Sequence, residues 1–472
     1  MDLSKIKSVY MIGIKGVGMA MLAQYLVEQG VEVSGSDTTD VFMTDEVLKK
    51  KGIKITEGFD VKNIPTGVDL IVYSTAYNQE NNVEVKSVLS DKHKVLTYAE
   101  MLAGVFNQKY GIAVVGSHGK TTTTAWLGFV MQKAGLEPNV LVGAKVPQFD
   151  GLALTSKSNY FVVEVDEYQN KLKYFQPRGV LLNNIEYDHP DFFPTIEYYN
   201  SVFIEFIKKI APSGFLIANY DDPIISKIAG VNSRAKVISY AIDSIADYVA
   251  YDIKNENGRQ FFKVKIGVED VETTTSSENL LGDFVIQLSG QHNIYNALAV
   301  IVTAIELGVE LTDIRKYLEE FEGTARRMQK LGEYRGAKII DDYAHHPTEV
   351  KATISAIKQK YPNKKFTLVF HPHTYTRTKA LLNDFAESFA GVDELIILDI
   401  YGSAREEQGG VHSRDLVDLV KKKNIKNNQE IRYIPTLAEC TDYLKEHIER
   451  DDVVVLMGAG DVFRIGENLV EK

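Results

Sequence analysis

Short runs of apolar residues, each closed by glycine or by a polar cluster and followed by helical spacing, recur along the whole chain. The first covers residues 8–14 and ends in Gly13-Ile14-Lys15-Gly16-Val17-Gly18-Met19, after which Met21, Leu22, Tyr25 and Leu26 fall on one helix face. A strand-like run from Val31 ends at Asp37, and residues 70–76 form another that carries Ser74 and Thr75 at its C-terminal end. Residues 112–115 run into Gly116-Ser117-His118-Gly119-Lys120-Thr121-Thr122, followed by Ala125, Trp126, Leu127, Val130 and Met131. Two further runs, 160–163 and 179–182, deliver polar residues at their ends: Glu164, Asp166 and Glu167 after the first, and Asn183 through Asp191 after the second. Uninterrupted apolar runs alternating with helices predict buried parallel strands.

The period changes to two around 246–288, clearest at 261–266, with Asn257-Gly258 as a turn and 273–279 as a polar loop. This predicts β-hairpins added to a central sheet. After the loop Gly323-Thr324-Ala325-Arg326-Arg327-Met328-Gln329 the strand–helix rhythm returns, with strands expected near 338–341, 366–370, 394–398 and 453–457. The fold expected is α/β in three domains. Residues 1–107 form a Rossmann-like domain, 108–322 a P-loop-type ATPase sheet with added hairpins, and 323–472 a second Rossmann-like domain.

Composition narrows this picture. A chain of 472 residues is too long for one core. A net charge of −11 argues against nucleic acid or an anionic membrane as partner, so an anionic substrate has to be met by local arginines and lysines. No run approaches the roughly 18 apolar residues of a membrane span, and no apolar signal core precedes the first strand. The single cysteine, Cys440, excludes an intramolecular disulfide. A cytoplasmic protein without membrane insertion is expected.

The candidate chemistry centres on residues 116–122. Strand, glycine loop, lysine and helix in that order make an anion site from successive backbone N–H groups. Lys120 is placed to reach the β- and γ-phosphates of a nucleotide, and the Thr121 hydroxyl to meet Mg²⁺. The loop is the short form, since Val114 stands where a longer phosphate loop has glycine. One acid of the Glu164–Glu167 group suits a cation opposite this loop, with strand alternation placing Glu164 and Asp166 on one face. His189 among carboxylates is either a metal ligand or a structural histidine. His292, Asn293 and Asn296 either cap the start of a helix or bind a base edge. Arg326 and Arg327 are either a solvated basic spot or a clamp on phosphate charge. The order of Gly13, Gly16 and Gly18 departs from that of dinucleotide-binding dehydrogenases and leaves a different diphosphate ligand open.

Together these motifs resemble the Mur ligases, the ATP-dependent amide ligases of peptidoglycan precursor synthesis. Residues 13–19, 34–37, 116–124, 341–350, 375–378, 399–406 and 457–461 look like the member that joins L-alanine to UDP-N-acetylmuramate. The resemblance implies ATP and Mg²⁺ as cofactors, those two small molecules as substrates, and a monomer or weak homodimer. It assigns the UDP-substrate to the first domain, on the side of Gly13, Gly16, Gly18, Met19, Asp37, Ser74 and Thr75. ATP falls to the loop Gly116–Thr122 (Gly116, Ser117, His118, Gly119, Lys120, Thr121 and Thr122), with His292, Asn293 and Asn296 at adenine and Arg326 and Arg327 beside the phosphates. Thr121 and Glu164 are implied as ligands of one Mg²⁺ and His189 as a ligand of a second. Tyr343, His345 and Arg377 face the incoming amino acid, and His345 is the candidate to take its proton. Lys15, His371 and Thr374 depart from the family pattern. Tyr168 also departs, and a member that attaches a whole tripeptide in cell-wall recycling carries an aromatic there.

Overall fold

The computed structural model describes residues 5–91, 93–149, 152–256, 258–267, 280–402, 408–423 and 429–470. Asn257, the loop 273–279 and residues 403–406 of the motif at 399–406 lie outside the described residues. Three sheets occupy successive stretches of the chain, and the uninterrupted apolar runs form their centres.

The first sheet has five parallel strands in the order Lys54–Glu57, Glu32–Asp37, Ser8–Ile12, Leu70–Tyr73, Val95–Thr97. The strand order reverses at Ser8–Ile12, which puts the glycine loop at the switch point where such sheets bind ligands. The helix Val17–Glu28 follows the loop directly.

The central sheet has ten strands. Tyr110–Val115 lies inside it, between Gly179–Leu182 and Tyr160–Glu164, with parallel pairing on both sides. The helix Lys120–Lys133 is buried all round from Thr121 to Met131, its threonines in the first turn and its apolar residues after them. Trp126 is fully buried, stacks on Phe321 at 5.2 Å and donates its indole N–H to the Leu318 carbonyl at 3.2 Å. Truncating such a side chain costs about 3–5 kcal/mol. The predicted hairpins are the antiparallel strands Tyr248–Glu256, Arg259–Ile266 and Leu280–Ile286, which extend one edge of the parallel sheet. Gln260, Phe262 and Val264 point inward and their neighbours outward, as a period of two requires.

The last sheet has six strands, five of them parallel, in the order Gln329–Tyr334, Ala337–Asp342, Val453–Met457, Phe366–Phe370, Glu394–Ile397, Glu430–Tyr433. Among the described residues no helix is long and apolar enough to cross a membrane.

Candidate active site

The buried strand Tyr110–Val115 aims the loop 116–119 at the junction of the three units. Gly119 begins the following helix at φ +79°, and a Cβ there would lie 2.5 Å from Asn296 Oδ1. Only glycine satisfies both constraints. Asn184 grips the loop from the opposite side, accepting from the His118 backbone N–H at 2.7 Å and donating to the His118 carbonyl at 3.1 Å. Lys120 Nζ donates to the Ser117 carbonyl at 3.0 Å and lies 3.5 Å from Glu167. Burial alone would lower the lysine's pKa, but the charges of Glu167 and Glu164 outweigh it and hold the ammonium protonated.

The three carboxylates after Tyr160–Glu164 go to three different partners. The strand ends at Glu164, but burial goes on alternating beyond it, with Glu164 and Asp166 half-buried and Val165 and Glu167 buried. Glu164 accepts from Thr121 Oγ1 and from the Gly143 N–H, both at 2.9 Å. Asp166 pairs with Lys171 at 2.7 Å. Glu167 is buried against Lys120, Tyr199 and His189. A hydroxyl and a carboxylate oxygen side by side at Thr121 and Glu164 are the hard donors that Mg²⁺ takes, so these residues fit the ion. His189 holds φ +57°, lies 3.8 Å from both Glu167 and Asp188, and is covered by the Tyr168 ring at 4.7 Å.

Two cavities meet at this loop. One, of about 450 Å³, is lined by His118, Gly119, Thr121 and Thr122 together with His292, Asn293, Asn296 and Arg327. The other, of about 410 Å³, takes Ser117 to Thr121, Glu164, Asp188 and His189 from the central unit, and Arg326, Arg327, Tyr343, His345 and Glu349 from the last unit. Val17 and Met43 of the first unit also line it, so all three units contribute. His118, Gly119, Thr121, Arg327 and Glu349 belong to both cavities and form the wall between them.

The helix carrying His292, Asn293 and Asn296 starts at Gly290 without a side-chain cap. Asn296 accepts from Thr123 Oγ1 at 3.1 Å and donates to Asn293, which donates to the Ser289 carbonyl at 2.7 Å. The asparagines therefore brace the phosphate loop, and His292 is the member less committed to neighbours. Burial lowers the His292 pKa to about 4, so its ring is neutral.

Gly13, Gly16, Gly18, Met19, Asp37, Ser74 and Thr75 line neither cavity and gather at the strand ends of the first sheet. Asp37 is buried and accepts from the Lys15 N–H at 2.6 Å and from the Tyr77 hydroxyl at 3.2 Å, so it holds the glycine loop in shape. The Lys15 side chain turns away from the loop and donates to the carbonyls of Thr38 and Asp40, each at 3.0 Å.

In the last unit, Arg326 and Arg327 separate. Arg326 donates to Asp341 at 3.1 Å and to the Gly458 carbonyl at 2.8 Å, between the rings of Tyr343 and Phe463. Arg327 instead lies 3.8 Å from Glu349 and faces both cavities. His345 Nδ1 lies 3.0 Å from the Tyr343 carbonyl, which only accepts, so Nδ1 carries the proton and Nε2 keeps its lone pair. Burial lowers the His345 pKa to about 3 despite Glu349 nearby, so the ring is neutral. Arg377 is paired with Asp188 at 3.1 Å across the junction. His371 is buried with Nδ1 3.6 Å from Asp461, and Thr374, at φ +68°, caps the helix Tyr375–Ala380.

Glu349 and Glu186 were not singled out by the motifs, yet they flank His118. His118 Nδ1 is 3.1 Å from Glu349 and Nε2 is 2.8 Å from Glu186. Burial would lower the His118 pKa, but these hydrogen bonds outweigh it and raise it to about 9. Burial would raise the Glu349 pKa, but the hydrogen bond and charge of His118, with the charge of Arg327, outweigh it and hold the carboxylate well below the usual range. A glutamate one turn into a helix that follows His-Pro was the available signal.

Three family models cover this chain in order. The "Mur ligase family, catalytic domain" matches residues 8–110, the "Mur ligase middle domain" 114–304, and the "Mur ligase, glutamate ligase domain" 326–460. A UDP-N-acetylmuramate–L-alanine ligase of Caldanaerobacter subterraneus subsp. tengcongensis is 37% identical, over 100% of this chain and 99% of its own length. The chain belongs to the Mur ligase family. Another relative of the same name, from Alkaliphilus metalliredigens, is 39% identical, over 100% of this chain and 98% of its own. Among solved structures, the Mur ligase fold recurs in a UDP-N-acetylmuramate–alanine ligase of Thermotoga maritima, with a TM-score of 0.81, 22% identity and 98% of each chain covered. A murein peptide ligase of Psychrobacter arcticus gives a TM-score of 0.71 at 23% identity, again over 98% of each chain. At these identities the two structures speak to the fold alone.

Proposed function

We propose that this Mur ligase joins L-alanine to the lactyl carboxylate of UDP-N-acetylmuramate, using ATP and an acyl phosphate, in peptidoglycan precursor synthesis. The observation that carries the reading is the cavity of about 410 Å³ to which all three units contribute. An activated carboxylate and an amine have to meet beside a phosphate loop, and this is where the three units converge. Residues 1–107 then hold the UDP-sugar, 108–322 the ATP and 323–472 the amino acid. Curated relatives of that name align over the full length, which supports the same assignment.

The chemistry follows from the layout. A carboxylate oxygen of the sugar attacks the γ-phosphorus of ATP and ADP departs, leaving an acyl phosphate. The neutral amine of alanine attacks the acyl carbon, the carbon–oxygen bond to phosphate breaks, and the amide forms as the departing phosphate takes up the proton that the nitrogen gives up. A free carboxylate is a poor acyl donor, which is why ATP is consumed. Lys120 and Arg327 offset the charge on the transferring phosphoryl group, and their preorganisation supplies most of the acceleration. Thr121 and Glu164 would hold one Mg²⁺ and His189 a second, and such ions neutralise phosphate charge when bound. The neutral His345, with Nε2 free to accept, orients the amine by a hydrogen bond. At a pKa of about 3 it is too weak a base to strip an ammonium by itself, so its part is to accept from an amine that arrives neutral.

Tyr168 over His189 is the observation that favours a second reading, ligation of a tripeptide to the same sugar. ADP formation from ATP and UDP-N-acetylmuramate, measured with L-alanine, glycine, L-serine or the tripeptide, separates the two. Alanine is expected to give the highest kcat/KM, and a preference for the tripeptide would overturn the first reading.

A further inference from the structure

His118, Glu186 and His346 place three ligating atoms within 4.8 Å of one another where the central and last units meet. His118 and Glu186 come from the two strand ends of the central sheet, and His346 from the start of the helix Pro347–Lys360. His118 Nδ1 faces Glu349 at 3.1 Å, while Nε2 faces the Glu186 carboxylate at 2.8 Å. A metal ion displaces the proton from Nε2, and the carboxylate behind Nδ1 keeps the other proton there and orients the ring. Glu186 is oriented in turn by the Thr348 hydroxyl, which donates to its other oxygen at 2.6 Å. The His346 ring lies 5.0 Å from that of His118, and its Nδ1 is 4.0 Å from Glu186 Oε1. His346 is 4% exposed, and its Nδ1, the nitrogen nearest Glu186, accepts only a long hydrogen bond of 3.4 Å from the Thr348 N–H, which an ion at that nitrogen would replace.

We propose that His118, Glu186 and His346 form a site for a divalent cation of the zinc class. Two imidazoles and one carboxylate suit Zn²⁺, whereas Mg²⁺ takes oxygen donors such as Thr121 and Glu164. Tetrahedral bonds of about 2.0–2.1 Å place neighbouring ligand atoms about 3.3 Å apart, so the three groups converge on the ion by small side-chain rotations. The ion ties the phosphate loop to the last unit and fixes His118 in the wall between the two cavities. This site does not depend on which amine the enzyme uses.

The full-length protein, stripped with a chelator, is titrated with Zn²⁺ against a chromophoric zinc indicator. One tight site per chain is expected, weakened at least about tenfold in Glu186→Gln and in His346→Gln and retained in His189→Asn. Cys440 does not compete, because it is fully buried and burial pushes its thiol up to about 12. Binding unchanged in both of the first two variants overturns the proposal. So does binding lost only in His189→Asn, which assigns the ion to the ATP–metal site. X-ray absorption of the zinc-loaded wild type needs no variant to fold. Two imidazoles in the ion's shell support the site, and a shell of oxygen alone overturns it.

Discussion

Arg377 and Asp188 form a buried ion pair between the last and central units, with Nη2 3.1 Å from Oδ1 and both residues at most 7% exposed. The arginine expected to face the amino acid is thus also the bolt that docks the last unit, immediately beside His189. Burial would raise the Asp188 pKa, but Arg377 outweighs it and holds the carboxylate well below its ordinary range.

Removing one partner leaves the other charge buried and unpaired. Asp188→Asn is therefore expected to destabilise the docked arrangement by about 3 kcal/mol. Because the folded pKa is depressed, the wild-type contribution is present above about pH 4 and disappears as pH falls further. Thermal melts of both proteins from pH 3 to 7 check this, and curves that stay parallel and equally high exclude the role.

His118 carries the opposite dependence. Its folded pKa of about 9 lies above the ordinary value of 6.5, so its stabilisation is complete below about pH 6.5 and is lost as pH rises through 9. The shift corresponds to at most about 3 kcal/mol. Hydrogen exchange over residues 344–349 is expected to accelerate between pH 6.5 and 9 beyond its intrinsic rise. In His118→Gln that extra acceleration is absent.

Lys120→Ala is expected to lower kcat roughly 100- to 1000-fold while the UDP-sugar binds with unchanged affinity. Equilibrium binding of the sugar beside steady-state ADP release makes the comparison. A variant that keeps most of its turnover removes Lys120 from the phosphate site.

His345→Ala is expected to lower kcat/KM for the amine about 100-fold with little effect on ATP affinity. With a pKa of about 3 in the free enzyme, His345 adds no ionisation to the kcat/KM profile between pH 5 and 8. Unchanged kcat/KM in the variant contradicts the orienting role.

The three sheets and the phosphate loop were legible because both are local. Apolar runs with terminal glycines fix strands and turns within about ten residues, and the added hairpins announced themselves by a change of period. The site was legible only in part. Thr121 and Glu164 do meet, whereas alternation could not tell that Asp166 would be taken up by Lys171. Arg326 and Arg327 are adjacent in sequence and point to different places, because φ at Arg326 is +61° and at Met328 +48°. No periodicity encodes that turn. Glu349 reaches His118 across 231 residues and Arg377 reaches Asp188 across 189, so each partner is defined only once the units dock. Asn293 and Asn296, assigned to adenine, also brace the loop, a second task that a motif does not display.

The acyl phosphate is the centre of the account, and isotope transfer tests it most directly. UDP-N-acetylmuramate labelled with ¹⁸O in its lactyl carboxylate is turned over with ATP and L-alanine, and the phosphate released is analysed by mass spectrometry. The account predicts one ¹⁸O in each phosphate formed, because the carboxylate oxygen that attacks phosphorus leaves with it. Unlabelled phosphate in a reaction that still forms the amide would contradict it.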